Sequence, residues 1–224
     1  MNGTSLKDTH RSVETTARRG LSLVELAVVS VLLAILASAA FPVYKIFQQR
    51  SKEHRLKNTL FAVRSAIYGS KSQSGYNFFT QGYRSMVRNR IMARIETELP
   101  EEQRVAAQAH LIQELTSNDF KGYPETPQVL WNRINHLVSV DFPAAAKTLT
   151  ADFEYRFLRK EPVHPFADWY PGAHFCFISA NDPDSVNRTP IKLQDWNPAV
   201  HKGVVDIVSV GAGLALDGSS TDNW

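Results

Sequence analysis

The apolar positions of the chain are concentrated in one run near its N-terminus. From Leu21 to Tyr44 the only charged residue is Glu25. A helix needs about 20 apolar residues to cross the hydrocarbon core of a membrane, so we predict a transmembrane helix segment over 21–44. A carboxylate at the edge of such a segment is costly and usually functional, which makes Glu25 the first candidate functional residue.

Beyond this run the apolar positions become periodic. From Leu56 to Ile67 they recur at spacings of three and four with polar and basic residues between them, as on one face of an amphipathic helix. We therefore expect the helix to continue over 45–70 and to end near Tyr68. Pro42 lies inside it and should kink or locally loosen it, because proline removes one backbone hydrogen bond.

The middle of the chain, over 71–120, predicts a loop and a helical insertion. The polar stretch 69–82 reads as a loop. Apolar residues at helical spacing follow in 86–99, and Pro100 with two acidic residues after it favours a second helix to about Thr116. Four arginines of this block should face solvent or protein, because no aromatic residues alternate with them for base stacking. They are Arg84, Arg88, Arg90 and Arg94.

The C-terminal part, over 121–224, has the alternation and aromatic content of β-strands. Strands are predicted at Asp152–Leu158, Ala173–Ser179 and Val204–Val210. Three such strands can form a small antiparallel sheet packed on the long helix, so the expected fold class is α+β. Cys176, the only cysteine, lies in an apolar part of this region, where buried packing is favoured over redox chemistry.

The first 20 residues carry more basic than acidic side chains, whereas the rest of the chain is nearly balanced in charge. Four of the 25 basic and two of the 22 acidic residues lie in 1–20, so the remainder carries 21 basic and 20 acidic side chains. This balance gives no argument for nucleic-acid binding. The basic residues ahead of the apolar run favour a cytoplasmic position for that end. They are Lys7, Arg11, Arg18 and Arg19.

The start of the apolar run carries a specific motif. Arg18-Arg19-Gly20 precedes Leu21, Glu25 follows four residues later, and Pro42 lies further along. This combination resembles the class III signal of type IV pilins and of type II secretion pseudopilins. The resemblance implies that 1–20 is a leader peptide, that a prepilin peptidase cuts after Gly20, and that Leu21 becomes the methylated N-terminus. A secretory signal peptide, with its shorter apolar core, and a plain membrane anchor are the alternatives.

The expected role of Glu25 follows from its surroundings. A lone carboxylate among apolar residues must protonate or find a partner. In a filament, the obvious partner is the charged N-terminal amine of a neighbouring subunit, and such a pair would fix the axial register between subunits. The alternative is an acid that lies in the headgroup region of the lipid. The resemblance also implies that the helix can melt at Pro42 when subunits enter a filament.

Three further segments are similar to the major pseudopilins of type II secretion. Gly122–Leu130 is similar to their Tyr-Pro-Thr-Thr-Glu-Gln-Gly-Leu segment, and Asp206–Trp224 to their last segment, which ends in Asn-Trp. His164–Tyr170 is distantly similar to an Asp-Pro-Trp-Gly segment. The helical block over 84–116 looks like an insertion relative to these proteins, so the choice between a major and a minor subunit stays open.

The same resemblance implies a calcium site in the last loop. Carboxylate and hydroxyl oxygens suit this hard cation, and the chain offers Asp217 and Asp222 together with two serines. Gly211–Leu214 stands where the family has Gly-Ala-Asp-Gly, so one expected carboxylate is missing, and Asp217 would replace it from a shifted position. A calcium site at Asp217 and Asp222 and a polar loop without metal are the two interpretations.

Catalysis finds little support in the residue pattern. The seven histidines are scattered, with no His-Glu-x-x-His pair and no nucleophile elbow. His164, Asp168 and His174 could converge on a metal, but an unrelated polar cluster in a loop rich in proline and tryptophan is the favoured interpretation. We therefore expect a structural protein rather than an enzyme.

The resemblance implies a pseudopilin subunit of a type II secretion system. Such a subunit is anchored once in the inner membrane, with its C-terminal domain in the periplasm. Its expected partners are itself or other pseudopilins, the prepilin peptidase, the inner-membrane assembly platform and membrane lipid, but not nucleic acid. The alternatives are a minor pilin of a type IV pilus, and a bitopic inner-membrane protein whose periplasmic domain binds a ligand or performs hydrolysis.

Overall fold

The computed structural model describes residues 22–71, 79–80, 82–116, 122–182 and 188–224. Within these residues the chain is α+β, as predicted, and it divides into two units between Lys45 and Ile46. The helices are α1 (Leu23–Tyr68), α2 (Tyr83–Glu98) and α3 (Glu101–Thr116). The strands are β1 (Ser70–Lys71), β2 (Phe79–Thr80), β3 (Ile134–Phe142), β4 (Lys147–Tyr155), β5 (His174–Ser179), β6 (Ile191–Lys192) and β7 (Val204–Val210).

The described part of the N-terminal unit is the first part of α1. By length and composition α1 is long and apolar enough to cross a membrane. Large apolar side chains such as Leu33 and Phe41 are 60% exposed, which is costly in water and favourable in lipid. Pro42 lies inside α1 without ending it. The helix ends at Tyr68, as the periodicity predicts.

The first core of the C-terminal unit lies between α1 and a sheet. Strand β5 pairs antiparallel with β6 on one side and with β7 on the other. The buried stripe of α1 packs against the inner face of this sheet because both surfaces are apolar. The stripe is Leu56, Leu60, Val63 and Ile67, and the sheet contributes Phe175, Phe177, Val204 and Ile207.

Side chains of α1 also cover the outer edge of β7. The Tyr68 hydroxyl donates to the carbonyl of Val205 at 2.7 Å, and the Arg64 guanidinium donates to the carbonyl of Ile207 at 3.1 Å. Arg64 also forms an ion pair with Asp206 at 2.7 Å. These bonds satisfy backbone acceptors that an edge strand would otherwise expose, and they fix the sheet on the helix.

A second core joins the helical insertion to a separate hairpin. Helices α2 and α3 confirm the predicted helical block, and they pack on the inner face of the β3–β4 hairpin. The apolar side chains that meet there include Val87, Ile91, Ile95, Leu111, Val140, Leu149 and Phe153. The block therefore contributes a core of its own to the C-terminal unit.

The arrangement of strands differs from the prediction in three ways. Residues 152–155 of the predicted strand Asp152–Leu158 form the second part of β4, which ends at Tyr155, and β4 pairs with β3 in a sheet of its own rather than joining β5 and β7. Strands β3 and β6 were not predicted. The predicted loop over 69–82 contains the short pair of β1 with β2. Long-range packing on α2 and α3, which local patterns do not encode, separates the hairpin from the other sheet.

A histidine lies buried against the first core. His164 is 6% exposed, and its Nδ1 accepts a hydrogen bond from the backbone N–H of Phe166 at 3.2 Å. Its Nε2 is therefore the protonated nitrogen and donates to the hydroxyl of Ser209 at 3.0 Å. Burial lowers the pKa of His164 to about 4, and the nearby His174 acts in the same direction.

The free energy of unfolding is expected to fall as the pH is lowered from about 6.5 to about 4. Histidine in the unfolded chain takes up a proton near pH 6.5, whereas folded His164 stays neutral until about pH 4. Within this window, each pH unit of acidification lowers the free energy of unfolding by up to about 1.4 kcal/mol through His164. Above pH 6.5 this group does not change the stability. Denaturant unfolding at several pH values measures the slope.

A substitution isolates the contribution of this histidine. His164→Gln removes the titrating group and should reduce the slope, whereas His54→Gln, at an exposed position, should leave it unchanged. Equal slopes in the unmodified protein and in His164→Gln would contradict the assignment.

Candidate functional site

The first turn of α1 holds the candidate assembly residue. The backbone N–H of Ser22 donates to Oε2 of Glu25 at 2.8 Å, and the N–H of Val24 donates to Oγ of Ser22 at 3.3 Å. The two side chains thus satisfy backbone N–H groups at the helix start reciprocally, as in a capping box. Ser22 was not among the predicted site residues, although the Ser-x-x-Glu spacing of a capping box is present in the sequence. Gly20 and Leu21 lie outside the described residues.

The capping bond leaves Glu25 able to bind a cation. A carboxylate offers about four acceptor positions, and the bond to Ser22 occupies one of them. A negative charge is also favoured at a helix N-terminus, where the backbone dipoles point their positive ends. The first turn of α1 therefore presents a fixed carboxylate that can pair with a further positive group. The predicted pairing with a neighbouring amine stays a prediction.

Pro42 occupies the predicted position in the apolar part of α1. Because proline has no N–H, the carbonyl of Ser38 receives no helical hydrogen bond from it. The hydroxyl of Ser38 donates to the carbonyl of Ile35 at 2.7 Å. The local loosening of the helix at Pro42 stays a prediction.

Both candidate calcium ligands of the last loop accept hydrogen bonds from nearby residues. Oδ1 of Asp217 accepts from the hydroxyl of Ser219 at 2.6 Å and from its N–H at 2.9 Å, and these bonds lower the pKa of the carboxyl. Oδ1 of Asp222 accepts from the N–H of Gly211 at 3.1 Å. Among the described residues, no group of three or more His, Cys, Asp or Glu side chains could hold a metal. A calcium ion would therefore need hydroxyl and carbonyl oxygens as well.

A melting experiment decides between the two interpretations of this loop. If Asp217 and Asp222 bind calcium, the melting temperature of the protein in detergent should be higher in excess calcium than in chelator, because a ligand of the folded state stabilises it. Asp217→Asn combined with Asp222→Asn should abolish that difference, while Asp195→Asn, at an exposed position elsewhere, should preserve it. Equal melting temperatures in calcium and chelator assign a polar loop without metal.

The segment around this loop is attached to the second part of α1. Gln49 donates to the carbonyl of Leu214 at 3.3 Å, and the N–H of Leu216 donates to Glu53 at 2.8 Å. Further along, Lys57 Nζ lies 4.0 Å from the centre of the Trp224 ring. Several polar residues of α1 thus hold the last segment in place. Their role was not predicted, because a helical pattern alone does not show which polar side chains meet a distant loop.

The polar residues considered for a second metal site have separate partners. His164 bonds to Ser209, whereas Nδ1 of His174 lies 2.6 Å from the carbonyl of Gly172. Asp168 pairs with Lys52 at 3.8 Å. These residues do not form a metal-binding group within the described part of the chain.

Cys176 is 3% exposed in β5, and burial raises the pKa of its thiol. The packing role predicted for this cysteine is confirmed.

The arginines of the helical block divide between two environments. Arg84 is partly buried, donates to the hydroxyl of Tyr123 at 2.7 Å and to the carbonyl of Leu115, and lies 4.3 Å from the centre of the Tyr123 ring. It joins α2 to the Gly122–Leu130 segment. The other three, Arg88, Arg90 and Arg94, are exposed.

No protein-family model, no curated protein and no solved structure matches the chain.

Proposed function

We propose that the chain is a pseudopilin subunit of a type II secretion system. It is cut after Gly20, anchored in the inner membrane by 21–44, and assembled into a short periplasmic filament that helps to push folded substrates outward. The observation that carries the proposal is the position of Glu25 in the first turn of a long apolar helix, a few residues after Arg18-Arg19-Gly20.

Electrostatics in the membrane supports an assembly role for this carboxylate. Cleavage after Gly20 creates a positive amine at the start of α1, where the backbone dipoles are also positive and disfavour it. The Glu25 carboxylate of a neighbouring subunit neutralises this amine, and the amine in turn removes the cost of a carboxylate in lipid. A processed chain therefore carries both halves of an intersubunit ion pair.

The layout of the C-terminal unit is compatible with a filament subunit. The second part of α1 supplies one side of its core, so assembly through α1 would carry the unit with it. The partners of such a subunit are its own copies or other pseudopilins, the prepilin peptidase, the inner-membrane assembly platform and membrane lipid. We propose no catalytic role, and calcium in the last loop is the candidate cofactor.

The helical insertion favours a minor subunit over a major one. Helices α2 and α3 add a second core to the C-terminal unit, and the resemblance to major pseudopilins does not cover them. A minor pilin of a type IV pilus remains the second candidate for the same reason. A bitopic anchor with a ligand-binding or hydrolytic domain is the third, and it differs from both because it keeps its leader.

Coexpression with a prepilin peptidase tests the proposal. Membranes that contain the processed chain should give a ladder of formaldehyde-crosslinked oligomers, and loss of the chain from its host should stop export of a secreted protein. A chain that retains Met1 and stays monomeric in such membranes would contradict the proposal and support the anchored alternative. Loss of surface pili without loss of secretion would select the minor pilin.

A further inference from the structure

A groove with exposed basic walls lies beside α1 in the C-terminal unit. Its volume is about 630 Å³, and the segment 158–165 forms its second wall. We call it the basic groove, because four basic residues, Lys52, Arg55, Arg159 and Lys160, line it against two acidic ones, Glu161 and Asp168. Lys52 is held by the carbonyl of Pro165 at 2.8 Å and by Asp168. The side chains of Arg55, Arg159 and Lys160 make no hydrogen bond or ion pair with another described residue, so three positive charges face the solvent.

The basic groove also contains apolar surface. Ala62, Leu158 and Pro162 line it, and Val163 is 71% exposed at its wall. An exposed apolar side chain among unpaired charges is the arrangement of many protein interfaces, in which an apolar contact is surrounded by polar groups. The groove therefore fits a partner that offers one apolar side chain with carboxylates around it.

The outer face of the β3–β4 hairpin has this composition. Its inner face packs on α2 and α3, so alternate residues of both strands point outward. We call these outward residues the acidic face. They include Leu137, Asp141, Asp152 and Glu154. Leu137 is 71% exposed and lies opposite Asp152 in the strand register.

The charges of the acidic face are only partly neutralised within the chain. Glu154 pairs with Arg133 at 2.7 Å, and Asp141 accepts from the hydroxyl of Thr148 at 2.7 Å. The side chain of Asp152 makes no hydrogen bond or ion pair with another described residue. The carboxylate beside the exposed leucine is therefore free to meet a basic partner.

We propose that the acidic face of one copy of this chain docks in the basic groove of the next copy. Leu137 then contacts Val163, and Asp152 lies among Arg55, Arg159 and Lys160. A second copy is the occupant because the two surfaces are complementary in charge and each presents one exposed apolar side chain. The two surfaces differ, so the contact is heterologous and can repeat from copy to copy without closing. This inference rests on the proposed filament function and deepens it.

Engineered cysteines test the contact in the full-length chain. Cys176 is buried, so the unmodified chain should give no disulfide-linked product under mild oxidation and serves as the background. Leu137→Cys combined with Val163→Cys should give a ladder of linked oligomers in membranes. Each single variant alone should give no ladder, and a mixture of the two single variants should give dimers only, because the contact joins position 137 to position 163.

Charge exchange tests the electrostatic part in the same double-cysteine background. Asp152→Lys should reduce the linked fraction about tenfold, and Lys160→Glu together with Arg159→Glu should restore it. Asp195→Lys, an exposed acid elsewhere, is the matched control and should have no effect. Reduction without restoration would assign the loss to a changed fold of the hairpin and would overturn the charge pairing.

Formaldehyde crosslinking of the same membranes separates failure of this inference from failure of the proposed function. A formaldehyde ladder without the 137–163 disulfide overturns the docking contact and leaves the filament proposal intact. Absence of both products, with an uncut leader, overturns the filament proposal and the contact with it. A disulfide between two cysteines at position 137 would indicate a symmetric dimer and would also overturn the heterologous contact.

Discussion

Glu25→Gln is expected to abolish filament assembly while it leaves membrane insertion and leader cleavage unchanged. The substitution removes the charge, so the amine of a neighbouring subunit would be left in lipid without a counter-charge. Loss of one partner of a buried ion pair costs about 3–5 kcal/mol, which corresponds to a loss of more than about 100-fold in assembly. Formaldehyde crosslinking of membranes measures the loss, and mass spectrometry confirms that the leader has been removed.

The choice of glutamine separates two roles of the same side chain. Glutamine at this position can still accept the hydrogen bond from Ser22, because a capping box works with either residue. Glu25→Ala removes both the charge and the cap. If the charge drives assembly, both variants should fail to about the same extent. Assembly of Glu25→Gln at the level of the unmodified chain, with failure of Glu25→Ala, would assign the residue to helix capping and would contradict the ion pair.

Local patterns predicted the helices of this chain well. Helix α1 ends at Tyr68, as the apolar stripe indicates, and α3 begins directly after Pro100. These boundaries follow from short-range physics, since periodicity decides which face is buried and proline decides where a helix can begin. The same reasoning placed β5 and β7 within one residue of their observed limits.

The hairpin shows what local patterns could not predict. In β3 the inward positions include His136, which is 5% exposed, and a polar residue there weakens the apolar alternation of the strand. His136 is accommodated because its ring packs edge-on against Tyr83 and lies over Phe153. Those neighbours belong to α2 and β4. Contacts with these other elements therefore stabilise β3, and the residues of β3 alone do not reveal them.

The sequence named candidate site residues but not their hydrogen-bond partners. Glu25 was identified from its apolar surroundings, yet its bond to Ser22 became visible only with the helix start in place. In the last loop, Asp217 and Asp222 were considered as ligands of one ion, but each accepts a hydrogen bond from a different backbone turn. The sequence shows which carboxylates are present, whereas the fold determines which hydrogen-bond donors lie close to them.

Gly20→Leu is expected to block leader removal completely and to prevent assembly as a consequence. The peptidase must approach the backbone closely at the cleavage site, and a branched side chain there would obstruct it. An uncut chain has no free amine at Leu21, so the Glu25 carboxylate of its neighbour loses its partner even though Glu25 itself is unchanged. This variant should therefore match the assembly defect of Glu25→Gln while it differs in mass by the whole leader.

A matched substitution and one measurement decide this prediction. Gly3→Leu changes a leader glycine far from the apolar run, and it should be cut and assembled normally. Mass spectrometry of chains purified from cells with an active prepilin peptidase reads the N-terminus directly. The unmodified chain should begin at Leu21 and carry one methyl group, and Gly20→Leu should keep the leader. An unmodified chain that keeps Met1 in such cells would contradict both the ion pair and the filament. Without cleavage, no positive amine forms at Leu21 near the start of α1.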